Sequence, residues 1–356
     1  MTKNEHTLIV TETSGGKANN DSVSYTQEWH APNDNAVKTQ SIIDGCTVSA
    51  DDLELMEIPP RACLAGTWLR DAGSGFIFAP RGLGKTWLGL HLACCLAEGR
   101  DCGPWAISKS RSVLYVDGEM HLDALRVRHR ALSRAKGAPL HFLSHAKVFE
   151  KHTKSLDLAL PATQADLTNK CLKCNIKVLI LDNLSCLFYG ISENDADDWE
   201  KVQSWLLALR NKGIAVVIIH HAGKNGVMRG TSKREGPATF ILSLTAPSQG
   251  HEVQGAQFIS TFVKNREGDP LNAQNEEGPW LWHFAPMDDR RVQVAHNRMD
   301  QFDRFIALVN DGLNSCRDIA EEMGLSKGCI SKWAKKAASM QPPLISIDSG
   351  QYRPAT

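Results

Sequence analysis

Gly82, Gly84, Lys85 and Thr86 have the types and spacing of a phosphate-binding loop. They belong to the stretch APRGLGKT, which follows an apolar run and precedes a segment with helical apolar spacing. Glycines permit a tight turn, and backbone N–H groups at the start of a helix can surround a concentrated anion. We therefore predict an ATP site in which Lys85 contacts the β- and γ-phosphates and the Thr86 hydroxyl binds Mg²⁺. The predicted loop consists of Ala79, Pro80, Arg81, Gly82, Leu83, Gly84, Lys85 and Thr86.

Ala79 occupies the position at which the pattern G-x-x-x-x-G-K-[ST] has its first glycine. Alanine fits there if its φ is negative and is strained otherwise. A glycine-rich turn without a ligand is the alternative interpretation. The complete motif between a predicted strand and a predicted helix favours the nucleotide site.

Acidic and histidine side chains follow three other predicted strands. Glu119 and Asp117 come after one strand, Asp182 ends the next, and His221 ends a third. Ligands of open parallel sheets bind at the carboxyl ends of the strands. We predict that Asp182 holds Mg²⁺, Glu119 polarises the attacking water and His221 senses the γ-phosphate. Asp117 is a rival for the base, and helix capping or an ordinary loop histidine are the structural alternatives.

The elements that must position these residues form an alternating pattern. Short apolar runs alternate with helical patterns, which predicts an α/β fold with a mainly parallel sheet covered on both faces. Later runs lack helices between them, so we expect the sheet to end in antiparallel strands. Strands are predicted at 75–78, 112–117, 177–182, 214–220, 239–244 and 257–263, and helices at 87–98, 122–136 and 198–212.

Composition separates three regions and excludes some classes of function. Residues 1–50 are polar and lack an apolar period, which predicts a flexible tail; 51–295 form the predicted nucleotide-binding domain and 301–356 a third region. The formal net charge is +0, so any nucleic-acid-binding surface must be local. No apolar run is long enough for a membrane span or a signal peptide, which predicts a cytoplasmic protein without a membrane partner.

The cysteine pattern predicts no metal site. The chain has 10 cysteines, which we expect to be free and mostly buried. Cys171-x-x-Cys174 lacks two further ligands at similar spacing, and the pair Cys94–Cys95 has the helical spacing of core residues.

Five motifs, taken in order, resemble the plasmid RepA-type hexameric helicase family. They are APRGLGKT, VLYVDGEM, KVLILDNLS, VVIIHHAGKNGVMRGTS and FVKNREG. The resemblance implies a RecA-like fold and a homo-oligomeric ring, a hexamer in that family, with ATP and Mg²⁺ at each subunit interface. It implies the functional roles already assigned to the phosphate loop, Glu119, Asp182 and His221. It also implies that Lys264 and Arg266 reach into the neighbouring subunit's site.

A trans-acting cation is chemically reasonable, because negative charge builds on the γ-phosphoryl oxygens during transfer. The alternative is that Lys264 and Arg266 are a solvated strand end before a turn. Arg229 is a rival, since a mobile loop could also reach across an interface.

Two basic segments predict contacts with DNA. The glycine-rich segment 222–236 carries Lys224, Arg229, Lys233 and Arg234. It suits backbone contact with single-stranded DNA, because it lacks an aromatic side chain for base stacking, and an ordinary surface loop is the alternative.

The second basic segment lies in the C-terminal region. Residues 316–333 have the apolar spacing of a helix-turn-helix, and the short strands predicted after it make the region resemble a winged helix. The DNA-contacting residues predicted there are Lys327, Ser331, Lys332 and Lys335. Docking on a partner protein is the alternative role for such a module.

These features favour a DNA-dependent ring ATPase, a replicative helicase of a plasmid, phage or similar mobile element. Single-stranded DNA in the ring, duplex DNA at the winged helix, and a replication initiator or primase are the expected partners. The alternative is a non-translocating ATP switch or loader. A small-molecule kinase shares the phosphate loop, but Glu119, the Lys264–Arg266 pair and the helix-turn-helix argue against it.

Overall fold

The computed structural model describes residues 43, 45–191, 196–223, 228, 235–247, 254–269 and 276–355. The chain divides into two units, Met1–Pro59 and Pro60–Thr356. In the first unit, helix α1 (Ala50–Leu55) begins where the Ser49 hydroxyl accepts the Asp52 N–H. The flexible tail predicted for residues 1–50 falls almost wholly outside the described residues.

A nine-stranded sheet forms the centre of the described part of the second unit. A separate pair, β1 (Cys63–Ala65) and β2 (Leu69–Arg70), precedes it. The strands of the large sheet are β3 (Ser74–Ala79), β4 (Val113–Asp117), β5 (Leu140–Ser144), β6 (Val178–Asp182), β7 (Ala215–His221), β8 (Phe240–Thr245), β9 (Ala256–Asn265), β10 (Trp280–Pro286) and β11 (Val292–Arg298).

The strands of this sheet lie in the order β11-β10-β9-β8-β3-β7-β6-β4-β5. The neighbours from β8 to β5 run parallel, whereas β9, β10 and β11 are antiparallel. This confirms the predicted α/β class, with a mainly parallel sheet that ends in antiparallel strands. In the sheet, β3 lies between β8 and β7, whereas along the chain β3 is followed by β4. The chain therefore crosses over beside β3, and in such folds ligands bind at this position.

Helices cover both faces of the sheet. They are α2 (Lys85–Glu98), α3 (Leu122–Leu132), α4 (His145–His152), α5 (Pro161–Lys173), α6 (Leu184–Leu187) and α7 (Ala196–Asn211). Alternate residues of each strand point to opposite faces. Ile77 and Val217 therefore join the core cluster that contains α2, while Phe76 and Val216 join the cluster that contains α7.

Among the elements that differ from the sequence-based prediction, three have a local explanation. The helix predicted to reach residue 136 ends at Leu132, because the Glu98 carboxylate accepts hydrogen bonds from the Ser133 hydroxyl and the Arg134 N–H. Strand β5 was not predicted because it is a sheet edge, mostly half-buried, and lacks a continuous apolar run. Helix α5 was missed because it buries only Leu167 and Cys171.

The C-terminal residues have a hydrophobic cluster of their own. Helices α8 (Gln301–Asn310), α9 (Cys316–Met323) and α10 (Lys327–Ala338) precede a hairpin of β12 (Ile345–Asp348) and β13 (Gln351–Pro354). The cluster includes Phe305, Ile319, Ile330 and Tyr352. The elements follow the predicted order, whereas the assignment as a winged helix and the domain boundary at 295–301 stay predictions.

Candidate active site

The predicted phosphate loop connects the central strand β3 to helix α2. Gly82 and Gly84 have φ angles of 78° and 108°, which non-glycine residues rarely adopt. A Cβ atom at Gly84 would also approach the Phe258 ring to 2.9 Å. Ala79 is the last residue of β3 and has no positive φ, so its backbone does not require a glycine.

Lys85 is buried inside this loop. Its Nζ donates to the Ala79 carbonyl at 3.0 Å and to the Pro80 carbonyl at 2.7 Å. Burial lowers the pKa of Lys85, and the negative charges of Asp182 and Glu119 oppose that change. The amino group is therefore held at the centre of the loop, where a phosphate group would be cradled.

Asp182 ends β6 beside the loop and is 4% exposed. The Tyr115 hydroxyl donates to Asp182 Oδ2 at 2.5 Å, and Thr86 is also hydrogen bonded to this carboxylate. Burial raises the pKa of Asp182, while both hydrogen bonds oppose the rise. A threonine hydroxyl next to a carboxylate is the donor set with which phosphate-loop proteins hold Mg²⁺.

Two acidic residues compete for the role of general base, and the structure places them differently. Asp117 lies opposite Asp182 in the parallel register of β4 and β6 and is 1% exposed. Burial and the charge of Asp182 raise the pKa of Asp117 to about 7. Glu119 is exposed to the cavity, and its carboxylate accepts a hydrogen bond from Asn183 Nδ2 at 2.8 Å. Glu119 is therefore the more accessible of the two acids.

An open cavity of about 710 Å³ joins these groups. Its volume lies within the range of about 300–1,000 Å³ typical of small-molecule sites. The cavity brings together residues from the phosphate loop with Asp117, Glu119, Asp182 and His221. His221 lies opposite Ala79 in the register of β7 and β3, at the start of the loop.

Tyr115 and Arg128 are site residues that the sequence did not predict. Tyr115 is fully buried within a strand, and its role depends on the contact with Asp182. Arg128 comes from α3, lines the cavity, and lies over the Trp87 ring at 5.3 Å. Only the packing of α3 against α2 shows that this residue reaches the cavity.

Lys264 and Arg266 lie beside the N-terminal ends of the parallel strands, whereas the phosphate loop lies at their C-terminal ends. Strand β9 is antiparallel to β8, and the Arg266 N–H donates to the Thr239 carbonyl next to the beginning of β8. The length of β3, about 16 Å at 3.3 Å per residue, separates these N-terminal ends from the loop. Lys264 Nζ donates to the Glu235 and Gly236 carbonyls, whereas Arg266 is exposed. Neither residue is close enough to act on the phosphate site of its own chain.

The predicted DNA-contacting residues fall into two groups. Lys224, Arg229, Lys233 and Arg234 lie outside the described residues. In α10, Lys327, Lys332 and Lys335 are exposed, whereas the half-buried Ser331 is hydrogen bonded to the Tyr352 hydroxyl. The DNA-binding role of either group stays a prediction.

The loop carries glycines and connects a central parallel strand to a helix. Its lysine and the aspartate at the end of a neighbouring strand line one cavity. These features define a P-loop nucleotide-binding protein. Residues 38–227, more than half of the chain, match the AAA domain family. The chain belongs to this family and is a P-loop ATPase. The family implies nucleotide binding, usually with Mg²⁺, and the pairing of Thr86 with Asp182 fits that ion.

Two solved archaeal structures are similar to this chain. The flagellar accessory protein FlaH from Methanocaldococcus jannaschii is 14% identical, with a TM-score of 0.43 over 63% of this chain and 90% of that protein. A KaiC-like protein from Pyrococcus horikoshii is 13% identical, with a TM-score of 0.46 over 65% of this chain and 93% of that protein. No curated protein sequence matches the chain. Within the described residues, none of the helices combines the length and apolarity needed to cross a bilayer.

Proposed function

We propose that this chain is a ring-forming, DNA-dependent ATPase that works as a replicative helicase of a plasmid, phage or similar mobile element. The observation that carries the proposal is the position of Arg266, which is exposed at the end of the parallel strands opposite its own phosphate loop. In a ring, each protomer meets its neighbour through two different surfaces. A cation at the far edge of one protomer can therefore complete the site of the next.

The roles at each shared site follow from the geometry. Lys85 and the loop backbone would hold the β- and γ-phosphates, while Thr86 and Asp182 would hold Mg²⁺, which neutralises charge on the phosphate oxygens. Glu119, oriented by Asn183, would accept the proton of the attacking water. His221, at the start of the loop, would couple the γ-phosphate to the segment that follows β7.

Arg266 is a better candidate for the trans-acting cation than Lys264. The Lys264 amino group is already engaged by two backbone carbonyls, whereas the Arg266 side chain is exposed. A guanidinium supplied in trans increases turnover by about 10³–10⁵-fold in related phosphoryl-transfer enzymes. Arg229, the other candidate, lies outside the described residues.

The proposed contact with DNA rests on charge at the C-terminal helices. Lys327, Lys332 and Lys335 are exposed on α10, and α10 contains no acidic residue. Lysines of this kind bind phosphates without reading sequence, so affinity for DNA should fall steeply as salt increases. Because the Ser331 side chain is already hydrogen bonded to Tyr352, we assign the phosphate contacts to the lysines.

The first experiment measures ATP hydrolysis by the full chain with and without single-stranded DNA, together with the mass of the particle. Stimulation by DNA in a ring-sized oligomer supports the proposal. DNA-independent hydrolysis by a monomer or dimer would contradict it and favour the non-translocating ATP switch.

The second experiment tests the interface directly. Arg266→Ala should keep ATP binding and lose turnover, while Arg298→Ala, an exposed arginine at the end of β11, serves as the matched control and should keep both. Mixing Arg266→Ala with Glu119→Gln protein should restore part of the activity, because a mixed interface combines an intact Glu119 with an intact Arg266. Absence of any restoration would exclude a cation acting in trans.

A further inference from the structure

His91, Cys95 and Cys102 meet in the core, outside the proposed catalytic site. His91 and Cys95 are one helical turn apart on α2, and Cys102 comes from the segment after the helix. One potential ligand atom from each residue lies within 4.8 Å of the other two. The side chains are 5%, 0% and 0% exposed. The cluster combines two sulfur ligands and one imidazole, the types that thiolate-binding metals prefer.

We propose that His91, Cys95 and Cys102 bind one Zn²⁺ ion. Cys95 Sγ lies 3.6 Å from His91 Nε2. Zinc bonds of about 2.3 Å to sulfur and about 2.0 Å to nitrogen, at a tetrahedral angle, place these atoms roughly 3.5 Å apart. The Sγ–Nε2 separation is therefore compatible with a shared ion. Because Sγ also lies 3.8 Å from Nδ1 of the same ring, the imidazole would turn to direct Nε2 at the ion.

The charges of the cluster suit a buried dication. Two thiolates would balance the two positive charges of zinc, so the ion would not leave an uncompensated charge in the core. The protons of the two thiols would leave to solvent as the ion binds. With three protein ligands, the fourth position would be taken by a solvent molecule.

Arg100 supports the sulfur ligand from outside the cluster. Its Nη1 donates to Cys95 Sγ at 2.8 Å, and its Nε donates to the Glu98 carboxylate at 2.5 Å. Nη2 donates to the Leu132 carbonyl at 3.1 Å, which ties the guanidinium to the end of α3. A fixed cation beside the sulfur favours the thiolate, and such supporting contacts orient metal ligands.

Aromatic rings close the other side of the cluster. The His91 ring packs edge-to-face against Phe284 at 5.6 Å and against Trp282 at 6.4 Å between ring centroids. These contacts fix the orientation of the imidazole ring. The ion would connect the phosphate-loop helix α2 to the segment that holds Cys102, and so would stabilise the helix that begins at Lys85.

The test measures zinc bound to the full chain after expression with added Zn²⁺ and washing with a weak chelator. The wild type should hold about one ion per chain, as should Cys94→Ser. Cys94 is the matched control, because it is adjacent to Cys95, is buried, and lies outside the cluster. Cys95→Ser and Cys102→Ser should each lower the zinc content by about tenfold or more.

A second measurement keeps the proposal testable if either serine variant fails to fold. The wild type, refolded with Co²⁺, should show the thiolate-to-cobalt absorption band, and Zn²⁺ should raise its denaturation midpoint relative to protein refolded with chelator. Zinc-free wild type without a cobalt band would overturn the proposal, as would equal zinc loss in Cys94→Ser. A Cys95–Cys102 disulfide, seen as a mass lower by the two thiol hydrogens, would also overturn it. None of these readouts depends on DNA or on a ring.

Discussion

Replacing Tyr115 with phenylalanine isolates one hydrogen bond at the proposed Mg²⁺ site. The change removes the hydroxyl that donates to Asp182 Oδ2 at 2.5 Å and keeps the ring, which packs beside Phe142 at 6.0 Å. Both partners are sequestered from solvent, with Tyr115 0% and Asp182 4% exposed. Water therefore cannot easily replace the lost donor, and the full effect should fall on Asp182.

The expected magnitude follows from the strength of such bonds. A hydrogen bond to an ionised group contributes about 1.5–3 kcal/mol, which corresponds to a shift of about 1–2 pKa units. Because the bond favours the ionised carboxylate, its loss should raise the pKa of Asp182 beyond the increase that burial already causes. Mg²⁺ binds the ionised form, so at pH values below the pKa of Asp182 its affinity should fall by about tenfold or more.

The assay measures ATP hydrolysis as a function of Mg²⁺ concentration and of pH. Tyr115→Phe should need more Mg²⁺, and the acid side of its pH profile should move to higher pH by about 1–2 units. Tyr352→Phe is the matched control, because it removes the hydroxyl of a buried tyrosine that is hydrogen bonded in the C-terminal cluster. If Tyr115→Phe showed the Mg²⁺ dependence and pH profile of the wild type, the assigned role of this bond would be wrong.

Two further changes test the loop and the strand-end acids. Gly84→Ala should abolish nucleotide binding and lower the melting temperature, because its φ of 108° and the 2.9 Å approach to Phe258 both oppose a side chain. Gly82→Ala has only the positive φ and no atom within 4 Å, so a melting temperature as low as that of Gly84→Ala would refute the steric argument. In the native protein the pKa of Asp117 is raised to about 7, so the wild type loses stability as pH increases through that value. Asp117→Asn removes this charge and should therefore leave the free energy of unfolding unchanged near pH 4 and raise it above pH 7. Unfolding of the nucleotide-free protein with urea at both pH values measures this, and an equal gain at each pH would contradict the assignment.

The strand-to-helix loop and the strand-end acids were predictable from short stretches of sequence. The residues of APRGLGKT are neighbours in the chain, and the loop conformation depends mainly on local glycines and the helix that follows. The predicted positions of Asp182, Glu119 and His221 also needed only one general property, that parallel strands end at the same edge of a sheet. The family of the chain is consistent with that interpretation.

Other features required tertiary structure because they join residues from different elements. Tyr115 meets Asp182 only through the side-by-side packing of β4 and β6, and Cys102 approaches Cys95 only because the chain turns back after α2. Spacing along the chain does not encode such distances, which is why Cys95 had the pattern of an ordinary core residue. The sequence alone therefore determined the class of fold and the phosphate-binding motif. The packing of strands and helices decided which buried hydroxyl contacts Asp182, the acid proposed to bind Mg²⁺, and which end of the parallel strands carries Arg266.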